Sequence, residues 1–262
     1  ALLVSGNGLA TEFRTGLFNW IPELDGVAHS EGDDSIVKMA YDAKTIRELG
    51  PARAILSGKL EPYLIGDRNG RPTLMYDGGR PDDLDDIPFP AFDLLHQDVD
   101  GYPVLETYLA NPIWGLGANN SSATPFTMKR SINTVSSRGC PFSCNFCFRG
   151  AQGERNYGVR SAKNLAAEMQ HYKDAYAIDF VGITDDNFMV LPKRIAELVP
   201  IMQPLVQQGI RWGTHGRLDE AGDLRPDPRN PDRFIVADPR RVDSMAKAGC
   251  VYIGFGAESA AA

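Results

Sequence analysis

The sequence predicts an α/β fold for this chain of 262 residues. The first observation is that short apolar segments alternate with segments of helical periodicity from residue 131 onward. The second is that residues 1–66 show the same strand–helix order on a smaller scale. Four strand–helix repeats with right-handed crossovers predict a parallel sheet in the C-terminal half. This length suits one to two domains.

The first strand–helix unit spans residues 1–66. Leu2–Val4 is a candidate strand that runs into a glycine turn, and Leu24–Ala28 is the next candidate strand. A helix is expected from Ile36 to Leu49, where Gly50-Pro51 ends it. Acidic residues at the start of that helix suit its macrodipole.

A linker is predicted for residues 67–130, which are low in periodicity and rich in Pro, Asp and Gly. Within it, Leu84–Leu95 is expected to be a proline-stiffened connector. The Gly/Asn/Ser stretch from Gly115 to Ser122 is expected to be an exposed loop.

Helix signals separate the strands of the C-terminal half. Ser161 is a predicted N-cap, Pro192 opens the next helix and Asp238-Pro239 opens a third, which Gly249 ends. Residues 218–238 form a long insertion, for which a lid and a solvated excursion are both open interpretations. The predicted strands are Ile132–Ser136, Ala177–Thr184, Ile210–Thr214 and Cys250–Phe255.

Three of the four cysteines, Cys140, Cys144 and Cys147, fall within eight residues. Thiolates on one short loop can converge on an inorganic centre and are poorly placed for disulfides. A structural zinc site takes four ligands, and the sequence offers no second Cys or His pair. Three cysteines fit a [4Fe–4S] cluster whose fourth iron takes an exogenous ligand. A zinc knuckle and redox thiols remain the alternatives.

The loop from Ser136 to Cys147, with its Arg-Gly-Cys-Pro context and Phe146 before the third cysteine, resembles the signature of the radical SAM superfamily. In that family the open iron binds S-adenosylmethionine (SAM), and cleavage of the sulfonium yields a 5′-deoxyadenosyl radical. The resemblance implies that Phe146 lies near the adenine. It also implies a small-molecule substrate and an electron donor such as flavodoxin or ferredoxin.

The resemblance further assigns residues that follow the predicted strands, where barrels place their chemistry. Asp185 and Asp186 stand where the family binds the SAM amino group, and carboxylates of a loop or a helix start are the alternative interpretation. Arg217 is expected to pair with the SAM carboxylate. Glu258 and Ser259 match the family's Gly-x-Glu-Ser stretch, whose side chains meet the ribose and the methionyl end. No catalytic residue is assigned beyond the cluster ligands.

The N-terminal unit resembles the last strands of a cobalamin-binding domain, which precedes the barrel in one radical SAM subclass. Residues 25–34 resemble that subclass's Gly-Glu-Gly-Glu stretch, with Ser30 and Asp33 replacing its outer residues. Leu84–Leu95 resembles the linker between the two domains. The resemblance implies cobalamin as a third cofactor. The sequence departs from the pattern of many cobalamin proteins at one point, because the Asp-x-His-x-x-Gly element that supplies an axial histidine is absent from it.

The implied architecture is truncated at both ends. Residues 1–66 would be the C-terminal part of a Rossmann-like cobalamin-binding domain, and residues 131–262 the first four βα units of a partial (β/α) barrel. Enzymes of this subclass, such as anaerobic magnesium-protoporphyrin ester cyclases and hopanoid methylases, methylate, cyclise or rearrange small organic, lipid or tetrapyrrole-like molecules. A radical SAM enzyme without cobalamin and a non-catalytic Fe–S or zinc module are the alternatives.

Composition excludes several other classes of function. Lys and Arg total 27 against 34 Asp and Glu, and the net charge of −7 argues against a nucleic-acid surface. No run of about 18 apolar residues predicts a membrane span, and no signal peptide is recognised. Few, clustered cysteines indicate the reducing cytoplasm.

Overall fold

The protein divides into two compact units, residues 1–82 and 83–262. No helix in the described part of the chain combines the length and apolar character that a membrane crossing requires. The computed structural model describes residues 3–6, 10, 13–60, 64–68, 71–96, 100–110, 126, 128–147, 157–238 and 240–256.

The first unit contains a four-stranded sheet of β1 (Leu3–Gly6), β2 (Gly26–Ser30), β3 (Leu64–Arg68) and β4 (Arg71–Gly78). Their order in the sheet is β1-β2-β4-β3. Strands β1, β2 and β4 are parallel, and β3 pairs antiparallel with β4 at one edge. The helices are α1 (Leu17–Trp20), α2 (Asp33–Leu49) and α3 (Pro51–Leu56).

Helix α2 packs on this sheet through a small buried cluster. Met39 contacts the cluster of Ala28, Leu74 and Tyr76, all nearly inaccessible to solvent. The Tyr76 hydroxyl donates a hydrogen bond of 3.0 Å to the Asp42 carboxylate. Burial, together with that carboxylate, raises the pKa of Tyr76.

The first unit extends beyond residue 66, where the sequence analysis ended it. Strand β4 pairs with β2 and ends only at Gly78, so residues 71–78 belong to the sheet and not to the linker. The signal for this hairpin was present, because Asn69-Gly70 lies between two strand-like runs. A Cβ at Gly78 would lie 1.8 Å from the Glu31 carbonyl oxygen, so the close approach of the backbone at these two residues requires glycine at position 78.

The second unit is built on a four-stranded sheet of β5 (Ser131–Thr134), β8 (Phe180–Ile183), β9 (Arg211–Gly216) and β12 (Cys250–Phe255). Their order in the sheet is β12-β9-β8-β5, and every pairing is parallel. This sheet confirms the predicted α/β class. The helices are α4 (Val104–Ala110), α5 (Ala162–Tyr176), α6 (Pro192–Gln207) and α7 (Arg240–Lys247), and two short strands, β6 (Ser137–Arg138) and β7 (Gly158–Val159), pair antiparallel.

The helix signals in the sequence correspond to the observed helices. The Ser161 hydroxyl caps α5 by accepting a hydrogen bond from the Asn164 N–H, at 3.1 Å. Pro192 is the first residue of α6, and Gly209 follows it with a φ of 89°. The apolar faces of both helices are buried against the sheet, with Leu165, Met169, Tyr172, Ile195, Leu198 and Met202 in one core.

The insertion after β9 is an antiparallel hairpin. It comprises β10 (Asp223–Asp227) and β11 (Asn230–Asp238), preceded by a 3-10 turn at Leu218–Glu220. Asp238 pairs with Asp223 and is extended, and α7 is described from Arg240 onward, directly after the predicted Asp238-Pro239 opening. Pro239 itself lies outside the described residues.

The proline-rich connector belongs to the second unit. The backbone N–H of Ser161 donates to the Asp85 carboxylate at 2.8 Å, so the connector also caps α5. Leu84 is buried, and the Phe92 ring meets the edge of Tyr172 at a centroid distance of 5.5 Å. These contacts hold residues 84–95 against the helix.

Candidate functional site

The predicted site residues follow the carboxyl ends of parallel strands, which share one edge of the sheet. Strand β5 leads through Ser136–Arg138 into the cysteine loop, β8 leads to Asp185, and β9 leads to Arg217. Open α/β sheets and barrels bind ligands at this edge. Glu258 and Ser259, which follow β12, lie outside the described residues.

The cysteine loop presents Cys140, Cys144 and Cys147 as free, partly exposed thiols. Gly139 turns the chain with a φ of 87°, and the Cys147 N–H donates to the Cys144 carbonyl at 3.1 Å. Among the residues that the structure describes, no three His, Cys, Asp or Glu side chains are gathered around one point as a metal ion requires. The cysteines of a [4Fe–4S] cluster each bind a different iron, so a loop for that cluster need not gather them in this way.

Asp185 fastens the start of the cysteine loop to the end of β8. Its buried carboxylate accepts hydrogen bonds from the Ser136 N–H, the Ser136 hydroxyl and the Ser137 hydroxyl, each at 2.6 Å. Sequence reasoning did not single out these two serines, although two small hydroxyl residues directly before Arg-Gly-Cys were a signal. The observed contacts give Asp185 a structural task, and its contact with the SAM amino group stays a prediction.

A buried arginine faces the same junction. The Arg194 guanidinium donates to the Ser136 carbonyl at 3.0 Å and lies 5.0 Å from the centre of the Phe188 ring. Burial lowers the pKa of Arg194, and the Asp185 charge acts in the opposite direction. The opposite charges of Arg194 and Asp185 therefore reduce the free-energy cost of burying both groups at the end of β5.

Two other predicted residues are exposed. Asp186 follows Asp185 directly but projects to the surface, so the two carboxylates have different surroundings. Phe146 is 66% exposed on the cysteine loop, as a ring that contacts a ligand requires. Their assigned contacts with SAM stay predictions.

Arg217 reaches from the end of β9 to the cysteine loop. Its Nη1 donates to the Cys144 Sγ at 3.2 Å, and its guanidinium lies 4.1 Å from the centre of the Phe142 ring. Its Nε and Nη2 donate to the two carboxylate oxygens of Asp219 at 3.0 and 2.7 Å. This bidentate pair of hydrogen bonds, the Arg217–Asp219 fork, lowers the pKa of Asp219 and raises the pKa of Arg217.

A buried ion pair lies behind the edge strand β5. Glu168 has no exposed surface, and its carboxylate binds the Arg160 guanidinium and the hydroxyls of Tyr172 and Thr134, the last at 2.8 Å. Burial and the neighbouring carboxylate raise the pKa of the Tyr172 hydroxyl. A cavity of about 330 Å³ opens beside this pair, beneath the connector residues Leu84–Pro90.

Cys250 differs chemically from the loop cysteines. Its Sγ–H donates to the Tyr252 carbonyl at 3.3 Å, and burial raises its pKa to about 12. Because the thiolate is the nucleophile, we expect iodoacetamide at pH 8 to alkylate the three loop cysteines of the metal-free protein well before Cys250. Peptide mass spectrometry over a time course measures this, with urea-unfolded protein as the control in which all four react. Equal rates in the folded protein would contradict the burial of this thiol.

Comparison with known proteins identifies the same part of the chain. Residues 134–262, which contain the cysteine loop and the parallel sheet from the end of β5 onward, match the radical SAM superfamily. The match therefore covers the second unit's strand ends and not the first unit.

Curated relatives match over longer stretches at low identity. The chain is 23% identical over 268 residues to an anaerobic magnesium-protoporphyrin IX monomethyl ester cyclase of Cereibacter sphaeroides, covering 100% of this chain and 36% of that protein. It is 25% identical to an uncharacterized methyltransferase of Pyrococcus horikoshii, covering 91% of this chain and 41% of that protein. It is 24% identical to a cytidylyl-2-hydroxyethylphosphonate methyltransferase of Streptomyces wedmorensis, covering 92% and 38%. The chain thus spans about two-fifths of the length of these relatives.

Proposed function

We propose that this protein, whose residues 134–262 belong to the radical SAM superfamily, is an enzyme that binds a [4Fe–4S] cluster through Cys140, Cys144 and Cys147 and cleaves SAM. One observation carries the proposal. Three free thiols lie on one loop at the carboxyl edge of a parallel sheet, with an arginine donor on the middle one. When bound, the cluster supplies the electron that breaks the SAM sulfonium bond and yields a 5′-deoxyadenosyl radical.

The chain's own residues would bind and orient SAM at this edge. Phe146 offers an exposed ring for the adenine, and the exposed Asp186 carboxylate offers an acceptor for the amino group. Glu258 and Ser259 are proposed to meet the ribose and the methionyl end. Asp185 holds the loop that carries the cysteines, through its contacts with Ser136 and Ser137.

The proposed architecture has two parts. The parallel sheet of the second unit, with its helices, is proposed to be the start of a partial (β/α) barrel. The first unit, with three parallel strands, is proposed to be the C-terminal part of a cobalamin-binding domain. The cyclase and methyltransferase relatives match over 100% and 92% of this chain, so the similarity is not confined to the second unit. Cobalamin is proposed as a further cofactor from the resemblance of the first unit to a cobalamin-binding domain.

The proposed reaction is methylation, cyclisation or rearrangement of a small organic, lipid or tetrapyrrole-like molecule. The relatives are named as a cyclase and as methyltransferases, which supports that range of reactions. We further propose a cytoplasmic protein that takes its electrons from a flavodoxin or a ferredoxin.

Anaerobic reconstitution with iron and sulfide tests the cluster ligands. The wild-type protein is expected to hold about four iron and four sulfide per chain, and Cys144→Ala to lose most of both. Cys250→Ala is the matched control, because the Cys250 thiol is hydrogen-bonded to a backbone carbonyl outside the cysteine loop. This variant should retain the full iron and sulfide content. Tightly bound zinc in place of iron, or equal iron in both variants, would contradict the proposal.

A further inference from the structure

Arg217 holds the cysteine loop by two contacts of different kinds. Its Nη1 lies 3.2 Å from the Cys144 Sγ, within the distance of a hydrogen bond to sulfur. The face of its guanidinium lies against Phe142, two residues before Cys144 in the same loop, at 4.1 Å from the ring centre. The two contacts fix the arginine relative to both the thiol and the backbone that carries it.

Asp219 fixes the other side of the same guanidinium. Its two oxygens accept from Nε and Nη2, so this edge of the arginine is occupied and Nη1 is turned toward Cys144. A planar fork of this kind is pre-organised, and lysine cannot reproduce it. The base of the arrangement is rigid, because Arg217 directly follows β9 of the parallel sheet.

The charge of Arg217 acts on the thiol that it contacts. A thiolate is the form of cysteine that binds iron, and an arginine N–H donated to it is a charge-assisted hydrogen bond. Hydrogen bonds to cluster sulfurs and local charge are among the factors that set the reduction potential of Fe–S clusters. A positive charge and a donor at the sulfur both favour the more negative, reduced state.

We infer that Arg217 is a positioning residue that orients the Cys144 thiolate and, through this hydrogen bond, raises the reduction potential of the cluster. The inference rests on the proposed function, since it requires the cluster to be bound at Cys144. It gives Arg217 a task beside the predicted contact with the SAM carboxylate. Only the guanidinium N–H groups that are not already donated to Asp219 or Cys144 are available for the SAM carboxylate.

The midpoint potential of the reconstituted protein tests this role. Arg217→Gln is expected to retain iron and sulfide but to lower the equilibrium constant for one-electron reduction about tenfold, or about 59 mV. The potential is read by EPR-monitored titration with a chemical reductant, which supplies the electron without forming or breaking a bond in the protein. Arg229→Gln removes the same charge from the exposed hairpin turn and should retain the wild-type potential.

A second variant covers the case in which Arg217→Gln does not retain a cluster. Arg217→Lys keeps the charge but loses the fork to Asp219 and the stacking on Phe142, so we expect a smaller fall in potential. A wild-type potential in either arginine variant with full iron content would overturn the inference while leaving the proposed function intact. Failure of the wild-type protein itself to bind a cluster would overturn both.

Discussion

Glu168→Ala is expected to lower the free energy of unfolding of the second unit by about 3–5 kcal/mol. Glu168 has no exposed surface, and its carboxylate is the ionic partner of the buried Arg160. Removing it leaves a buried guanidinium without its counter-charge and deprives Tyr172 and Thr134 of their acceptor. Urea unfolding followed by circular dichroism measures the change.

An exposed ion pair in the same unit provides the matched control. Glu197 faces Lys193 at 3.9 Å on the surface of α6, and both side chains are largely exposed. Such pairs contribute about 0–1 kcal/mol, so Glu197→Ala should change stability little. Similar losses in Glu168→Ala and Glu197→Ala would show that the pair behind β5 does not hold the unit together.

The second large effect is expected at Asp185. Asp185→Ala should destabilise the junction between β5 and the cysteine loop by about 3 kcal/mol, because it removes the acceptor of three buried hydrogen bonds from Ser136 and Ser137. It also removes a negative charge that favours the charged form of the buried Arg194. We expect faster hydrogen exchange in residues 136–147 and a reduced iron content after reconstitution.

The neighbouring carboxylate separates this structural role from ligand binding. Asp186 is exposed, and exposed ionic contacts contribute about 0–1 kcal/mol, so Asp186→Ala should change stability much less than Asp185→Ala and should retain iron. If Asp186 binds the SAM amino group, SAM should no longer change the EPR spectrum of the cluster in Asp186→Ala. Normal iron content and exchange rates in Asp185→Ala would contradict the proposed fastening of the loop.

Local signals in the sequence predict the four strands of the second unit's parallel sheet and the helices α5 and α6. They miss α4, which lies in the predicted linker, and the β10–β11 hairpin. Ser161, Pro192 and Gly209 act through backbone hydrogen bonds and φ preferences that depend on a few neighbouring residues. The first unit's β4 was missed because its place depends on pairing with β2, whose paired residues lie 48 positions earlier in the chain. The hairpin signal at Asn69-Gly70 was available, but the polar composition of the region favoured a linker.

The candidate site divides in the same way. The cysteine spacing is a local pattern, and the sequence alone identifies it. By contrast, the bonds of Asp185 to Ser136 and of Arg217 to Cys144 join residues that are 49 and 73 positions apart. Glu168 was detectable as a charge within the apolar stripe of Leu165, Met169 and Tyr172, but its partner Arg160 depends on the packing of α5 against β5.

The most direct test of the central claim is EPR of the reduced, reconstituted protein with and without SAM. A [4Fe–4S] signal that SAM perturbs in the wild type, and that is lost in Cys144→Ala, is the result that this account predicts. It would establish that three cysteines leave one iron open to SAM. A cluster whose spectrum is indifferent to SAM, or bound zinc with no cluster, would contradict it.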